Sequence, residues 1–582
     1  MANVDQKDRP VVGSNLPMGW GSDIAAEILR RLGIEYVALN PGASFRGFHD
    51  SLVNYLGNRD PQLLLCLHED HALAIAHGYA KASDRAMAVM LHANVGLMHG
   101  LLGVFNAWCD RVPVFVMGAS GPADAPKRRP WIEWIHASKD QGALLRHTVK
   151  WDDEPRSPEA LVESMLRAAA LMRTPPKGPV YVSLDVGLQE LALESEINIP
   201  PVGRFAPPEP PRASPQSVER AADLLVSAER PVILVGRTSR SQTAWDQRVR
   251  LAELLGARVA TDLKSPAAFP TDHGLHLGKY TLRISPAATA AVAESDVTLL
   301  LDWVDPAGFF NAIDGDIAAK IVNCTLDPYL HNGWSMDHFG FAPADLSILA
   351  DPESFTADLL VAVEARLGGT AKWTGDRKRT SGEPMLPEKS PDASIAPSDI
   401  GTVLKSVRGE RQITLARVPI AWDGSIYPFS SPLDFLGYDG GGGLSSGPGN
   451  TIGAALALRG SGRIVIGILG DGDFLQGATA LWSAARYEIP ALFIISNNRS
   501  NFTDVAHQEL MARRRGRPIE NRWIGQAIDE PAIDFASLAR SQGVAAAGPI
   551  ERFSELPAAL EVALNTVASG KPYLLDIVVE PG

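Results

Sequence analysis

Short apolar runs alternate with amphipathic stretches in three separate series along this chain, and that alternation restricts the fold more than any other feature. The first series is "IEYVALN", "MAVMLHA", "VPVFVMGAS" and "GPVYVSLDV". The second is "RPVILVG", "ARVATD", "DVTLLLDW" and "AKIVNCTLD", and the third is "QITLAR", "RIVIGILG", "ALFIISNN" and "YLLDIVV". Strand, loop and helix repeated in this order predict parallel sheets with helices on both faces. Two segments without periodicity separate the series: the Pro-rich "RFAPPEPPRASPQS" (204–217) and the polar stretch 370–399. The expected fold class is α/β, with three doubly wound parallel-sheet domains over 1–203, 204–369 and 400–582 and a linker over 370–399. A length of 582 residues also exceeds what one core supports.

Open sheets of this kind bind ligands beyond the carboxyl ends of their strands. In the third series "RIVIGILG" runs directly into Asp471, Gly472 and Asp473, and "ALFIISNN" ends on Asn498. The intervening "FLQGATALWSAARYEIP" reads as a crossover helix, which sets Asp471 and Asn498 side by side on the sheet edge. Mg²⁺ takes hard oxygen ligands, usually one or two carboxylates plus phosphates. A carboxylate, an amide oxygen and the nearby carbonyl of Ser500 make half such a shell, and a cofactor diphosphate would complete it. Gly470 and Gly472 allow close approach to phosphate, next to the positive end of a helix. "GDG" alone equally describes a tight turn; followed by "NN" around a helix, it is far more specific.

A net charge of −13 disfavours nucleic acid and anionic membranes as partners. Three scattered cysteines (Cys66, Cys109, Cys324) suit neither a disulfide framework nor zinc. The start "MANVDQKDRP" lacks a signal-peptide core, and no apolar run reaches the roughly 20 residues of a membrane span. A cytoplasmic enzyme acting on a small molecule is expected.

"GDG" with "NN" resembles the cofactor motif of thiamine-diphosphate enzymes, and the resemblance runs over nearly the whole chain. It points to the family of acetolactate synthase, pyruvate decarboxylase and benzoylformate decarboxylase, with pyrimidine-binding, central and diphosphate-binding domains. "LHANVGLMHGLLGVFNAW" and "PAIDFASLARSQGV" are similar to segments of the last of these. The resemblance implies thiamine diphosphate and Mg²⁺, the ion held by Asp471, Asn498 and the Ser500 carbonyl, with Gly42, Gly470, Gly472 and Asp473 beside the cofactor. It also implies pyrimidine and diphosphate sites on different subunits, hence a homodimer at least; a homotetramer is common in the family.

In "LLLCLHEDHALAIAHGYAKAS" a strand runs into Glu69 and then a helix. An acid at a helix start often simply faces the dipole. In the family pattern, however, a Glu before "xAxxxAxGYA" hydrogen-bonds the aminopyrimidine, and Glu69 stands there. Burial is expected to raise its pKa so that it holds a proton near neutrality, which activates the 4′-amino group beside C2. His68 and His71 in "HEDH" miss the metalloprotease spacing and no third ligand follows, so no zinc site is expected. "YDGGGGLSSGPGNTIGAALAL" lacks the Lys-Ser/Thr of a phosphate loop; a flexible linker is one reading, a close backbone approach the other. By resemblance the Gly442 carbonyl accepts from the 4′-amino group and Leu444 is the wedge that bends the cofactor, with the register open by a residue.

His92 ends "MAVMLH" at the ligand edge and matches the active-site His of benzoylformate decarboxylases, where it would move protons. The substrate side departs from that pattern. The Ser expected after "NPG" is Ala43, with Ser44 next; a second His would fall near Phe309; and His99 replaces an Asn. These four are the weaker substrate-site candidates. Arg513, Arg514, Arg515 and Arg517 form a solvated helix face or recognise a carboxylate. Trp131, Trp134 and Trp422 line a pocket or pack a core. The central segment lacks "GxGxxG", and "LLLDWVDPAGF" and "NCTLDP" depart from the flavin pattern, so no FAD is expected. The expected activity is non-oxidative decarboxylation of a 2-oxo acid, with carboligation to an aldehyde. The alternatives are an acetolactate-synthase-like carboligase, a 2-hydroxyacyl lyase taking an acyl substrate, or, in another class, a cofactor-binding protein without turnover.

Overall fold

The computed structural model describes residues 8–11, 16–278, 280–328, 342–377 and 388–581. Three parallel sheets follow one another along the chain. The first holds β1 (Tyr36–Leu39), β2 (Gln62–Leu65), β3 (Met87–Met90), β4 (Val114–Ser120), β5 (Asp152–Asp153) and β6 (Val180–Asp185), in the order β2-β1-β3-β4-β6-β5. The second holds β7 (Pro231–Val235), β8 (Arg258–Ala260), β9 (Val297–Leu301), β10 (Lys320–Thr325) and β11 (Leu346–Leu349), ordered β11-β10-β9-β7-β8. The third holds β12 (Ile413–Arg417), β13 (Ile464–Gly470), β14 (Ala491–Asn497), β15 (Ala545–Ile550) and β16 (Tyr573–Val578), ordered β12-β13-β14-β16-β15. Every expected apolar run is a strand. The strands that the apolar runs do not announce, β5, β11 and β15, all lie at sheet edges, where half-exposed residues carry little apolar signal.

The expected crossover helix between the third sheet's two ligand motifs is broken into Asp471–Gly477, a 3₁₀ turn at Ala478–Ala480 and Leu481–Arg486. The first break comes at Gly477, where a Cβ would run into the Ser445 carbonyl. Of the expected linker 370–399, residues 378–387 lie outside the described residues. Its opening is not free: Lys372 and Trp373 donate backbone hydrogen bonds to Leu254 and Glu253, and Trp373 packs on His273 with ring centres 4.7 Å apart.

What positions the site is a crossing of two helices from different sheets. Helix Glu69–Ser83 packs along helix Ser446–Ala457, with Ala72, Leu73, Ile75, Ala76 and Tyr79 joining Ile452, Ala454 and Ala455 in one apolar cluster. Contact this close needs glycine. At Gly78 a Cβ would strike the Asn450 carbonyl, at Gly449 the Ala74 methyl, and at Gly453 the Ile75 carbonyl. The first and third sheets thus share a dry seam, and the residues at the start of both helices are held in register.

Candidate functional site

At the carboxyl ends of β13 and β14 the two ligand motifs converge. Asp471 opens its helix and is 2% exposed. Its Oδ1 accepts from the Gly472 N–H at 2.8 Å and its Oδ2 from the Ser500 N–H at 3.1 Å. Asn498 Oδ1 accepts from the same Ser500 N–H, also at 3.1 Å, and from the Ser500 hydroxyl. Asp471 and Asn498 therefore present oxygens around one backbone amide. Asn497 is committed elsewhere, donating to the buried Asp576 at 3.0 Å.

No cation pairs with Asp471 among the described residues, and burial pushes its carboxyl up to about 6 against the backbone donors that lower it. A buried, all-oxygen donor set short of positive charge fits a hard divalent ion. Space for a ligand lies beside it, since a Cβ on Gly470 would meet nothing.

The Asp473 side chain is held by partners within the chain. Its Oδ1 accepts from the Ser445 N–H at 2.9 Å, and its Oδ2 accepts from Arg417 at 3.3 Å. Arg417 is itself buried, paired with Asp439 and stacked 3.8 Å from the Tyr438 ring centre. Asp473 thus ties the metal-motif turn to the glycine run, because a buried carboxylate takes the nearest cation. Sequence reasoning passed over Arg417, although a charge ending the strand "QITLAR" was the available signal.

The glycine run is neither linker nor phosphate loop. It lies against helix Ala93–Cys109: a Cβ on Gly440 would meet Cys109 and Asp110, on Gly441 Asn106, and on Gly443 Leu102. Those contacts fall on one face at helical spacing. Gly442 instead has φ +64 and open space around it, and the partly buried Leu444 follows. Ser445 then donates to Asp70, the neighbour of Glu69. Within one chain the acid-bearing helix start and the metal motif are linked through Ser445.

Glu69 begins its helix behind the N-cap His68, whose Nδ1 accepts from the Asp70 N–H at 3.1 Å. The carboxyl is buried, but its pKa does not rise as expected. Burial pushes it up; donors at Asn40, its own backbone N–H and His99 together outweigh that and hold it below the usual range. His99 Nδ1 lies 3.1 Å from Glu69 Oε2, and its ring stacks on His68 with centres 4.8 Å apart. His99 thus belongs to Glu69's surroundings. His68, Glu69 and His99 also cluster closely enough to offer three ligand atoms, a grouping that sequence spacing did not reveal because His99 comes from another helix.

On the other side of the helix Ala93–Cys109, His92 caps its start. Its Nδ1 lies 2.8 Å from Ser44 Oγ, which also accepts from the Ala93 N–H at 3.1 Å. When the Ser44 hydroxyl donates to Nδ1, the ring proton sits on Nε2, the nitrogen that faces away from Ser44. Burial and the neighbouring His136 lower the His92 pKa and keep it neutral. Gly42 makes the seat possible, since a Cβ there would lie 2.4 Å from His92 Cβ. Ser44, rather than the exposed Ala43, supplies the hydroxyl that appeared displaced by one residue.

Phe309 does not join this group. It is 2% exposed in the second sheet's core, edge-on to Trp303 at 5.5 Å. Trp422 is buried, whereas Trp131 and Trp134 stack on each other at the surface. Arg513 pairs with Glu509 on the exposed helix Phe502–Arg514, as a solvated face does. No described helix is long and apolar enough to cross a membrane.

The comparisons with known proteins agree with this arrangement. Residues 19–144 match "Thiamine pyrophosphate enzyme, N-terminal TPP binding domain", 218–329 the central domain and 420–577 the C-terminal TPP binding domain. The chain is 28% identical to benzoylformate decarboxylase of Pseudomonas aeruginosa, over 95% of this chain and 97% of that one. It is 27% identical to a probable acetolactate synthase large subunit of Methanocaldococcus jannaschii, over 96% and 92%. In fold it resembles the 4-hydroxybenzoylformate decarboxylase of Rhodococcus jostii RHA1, with TM-score 0.79 and 23% identity over 97% of this chain and 99% of that one. With all three domains present in order, and the cofactor motifs brought to one sheet edge, the chain belongs to the thiamine pyrophosphate enzyme family.

Proposed function

We propose that this enzyme, with thiamine diphosphate and Mg²⁺ bound, releases carbon dioxide from a 2-oxo acid without oxidation and can join the remaining acyl unit to an aldehyde. The observation that carries the decarboxylase reading is the Ser44–His92 pair, a neutral imidazole hydrogen-bonded at Nδ1 beside a small cavity at the strand ends. The cofactor supplies a carbanion at its thiazolium C2 and an electron sink. Asp471, Asn498 and the Ser500 carbonyl would hold the ion and, through it, the diphosphate. Glu69 would bind the pyrimidine ring nitrogen and share a proton with it, while His92 Nε2 moves a proton to or from the substrate oxygen. Leu444 and the Gly442 carbonyl would set the bend of the cofactor.

The same reading includes a homodimer at least. Val95, Met98 and Leu102 are exposed at helical spacing on helix Ala93–Cys109, beside His99 and Glu69, and a second copy would cover that stripe. The sedimentation mass of the purified protein tests this.

A second reading, acetolactate-synthase-like carboligation, rests on the M. jannaschii relative, which is as similar as the decarboxylase relative. Carbon dioxide release from a panel of 2-oxo acids, with and without an acceptor aldehyde, separates the two. Release with free aldehyde as the product supports the decarboxylase; release with the acyl unit joined to an acceptor, a second 2-oxo acid included, supports the carboligase; turnover of neither kind, with cofactor bound, removes both.

A further inference from the structure

A cavity of about 80 Å³ opens at the carboxyl ends of the first sheet, lined among others by Ser44, His92, Arg129, Ile132 and His136. His136 matches no motif and ends a five-residue helix, Ile132–His136. Its ring centre lies 4.8 Å from that of His92, the two planes at 70°. Neither ring nitrogen of His136 has a hydrogen-bond partner among the described residues, while His92 Nδ1 is engaged by Ser44.

The helix that carries His136 is fixed by other contacts. Glu133 is buried and accepts from the Arg129 N–H at 2.6 Å and from the Arg129 guanidinium at 2.7 Å and 2.9 Å. It fits because Gly121 has no side chain; a Cβ there would lie 2.6 Å from Glu133 Cγ. Asn94, in the helix behind His92, donates to the Ile135 carbonyl at 3.3 Å. The imidazole is therefore held opposite His92 without contributing to the packing that holds it. The Arg129 guanidinium is hydrogen-bonded to Glu133, and its charge disfavours a proton on His92.

We propose that His136 is the second imidazole of the substrate site, donating through a ring N–H to the carboxylate or carbonyl oxygen of the 2-oxo acid while His92 Nε2 faces the other. The proposal rests on the decarboxylase reading above and adds to it a group that sets substrate position. A 2-oxo acid presents two adjacent oxygen-bearing carbons, and two imidazoles meeting edge to face offer donors from two directions, which favours that pair over an isolated carbonyl. It also accounts for Phe309: the donor that a second histidine would supply near that residue comes instead from the first domain.

The test uses holoenzyme with thiamine diphosphate and Mg²⁺, and acetylphosphonate and benzoylphosphonate as stable mimics of 2-oxo acids. Calorimetry gives phosphonate affinity for the wild type, His136→Leu and His136→Gln, and tryptophan quenching gives cofactor affinity for each. The expected result is phosphonate binding at least tenfold weaker in His136→Leu, largely restored in His136→Gln, which keeps an N–H donor, with cofactor affinity within twofold throughout. Equal phosphonate affinity in all three, equal loss in both variants, loss of cofactor along with phosphonate, or no phosphonate binding by cofactor-loaded wild type would each overturn it. A wild type that binds no cofactor is a separate result and removes the parent reading too.

Discussion

His99 donates to Glu69 at 3.1 Å, so the acid proposed to bind the pyrimidine is already hydrogen-bonded by an exposed imidazole from another helix. The carboxyl is consequently held ionised, the opposite of what burial alone dictates. A ring nitrogen must compete with His99 for that oxygen. His99→Leu removes one of the lowering donors, so the Glu69 pKa should rise. The sign for stability follows from linkage. A lowered carboxyl pKa stabilises the fold above the ordinary carboxyl range, and that contribution is lost as pH falls through the lowered value. In His99→Leu the contribution should be smaller and its loss complete at a higher pH. Urea unfolding between about pH 3 and pH 6 measures it; superimposable curves for variant and wild type would refute the coupling.

Asp471 has the opposite sign. Its pKa is raised to about 6 by burial, so in the metal-free chain it holds a proton below that pH. That stabilising contribution is complete below the ordinary carboxyl range and gone once pH rises past about 6. Mg²⁺ must displace the proton, so its affinity should fall about tenfold per pH unit below this value. Calorimetric titration with Mg²⁺ and thiamine diphosphate checks this. Asp471→Asn should lose most of the affinity and all of the pH dependence. A variant that keeps both would place the metal elsewhere.

Ser44 holds His92 through a hydrogen bond at Nδ1. Ser44→Ala deletes one hydrogen bond, about 1 kcal/mol, and should lower kcat/KM roughly fivefold to tenfold on any 2-oxo acid turned over. Ala43→Ser should leave kcat/KM within twofold, because residue 43 is exposed and does not reach His92 through this pair. The reverse ranking would show that the hydroxyl acts from residue 43.

The four glycines are not equivalent. Gly441→Ala drives a methyl into Asn106 and should destabilise the fold by about 1–3 kcal/mol. Gly442→Ala meets no atom but must adopt φ +64, at a cost of about 1 kcal/mol. Chemical denaturation of both variants ranks them. Equal and negligible effects would mean that the run does not lie on helix Ala93–Cys109.

Much of this enzyme is legible in its residues taken in order. Alternating apolar runs determine three parallel sheets, because a buried parallel strand must be apolar on both faces. "GDG" and "NN" announce their own places, because a strand that stops on Asp471 or Asn498 puts those side chains at the ligand edge whatever packs around it. Strands β5, β11 and β15 were silent for the converse reason, that each is partly wet at a sheet edge. Tertiary structure alone decided what depends on distance through space. Asp473 came to accept from Arg417, fifty-six residues away. Glu69 acquired donors at Asn40, its own backbone N–H and His99, which together reversed the direction of its pKa. His136 came to face His92 because Gly121 leaves room for Glu133 beneath its helix. A carboxylate's charge state and an imidazole's role are set by the atoms within a few ångströms, and those atoms come from segments that the order of residues does not bring together.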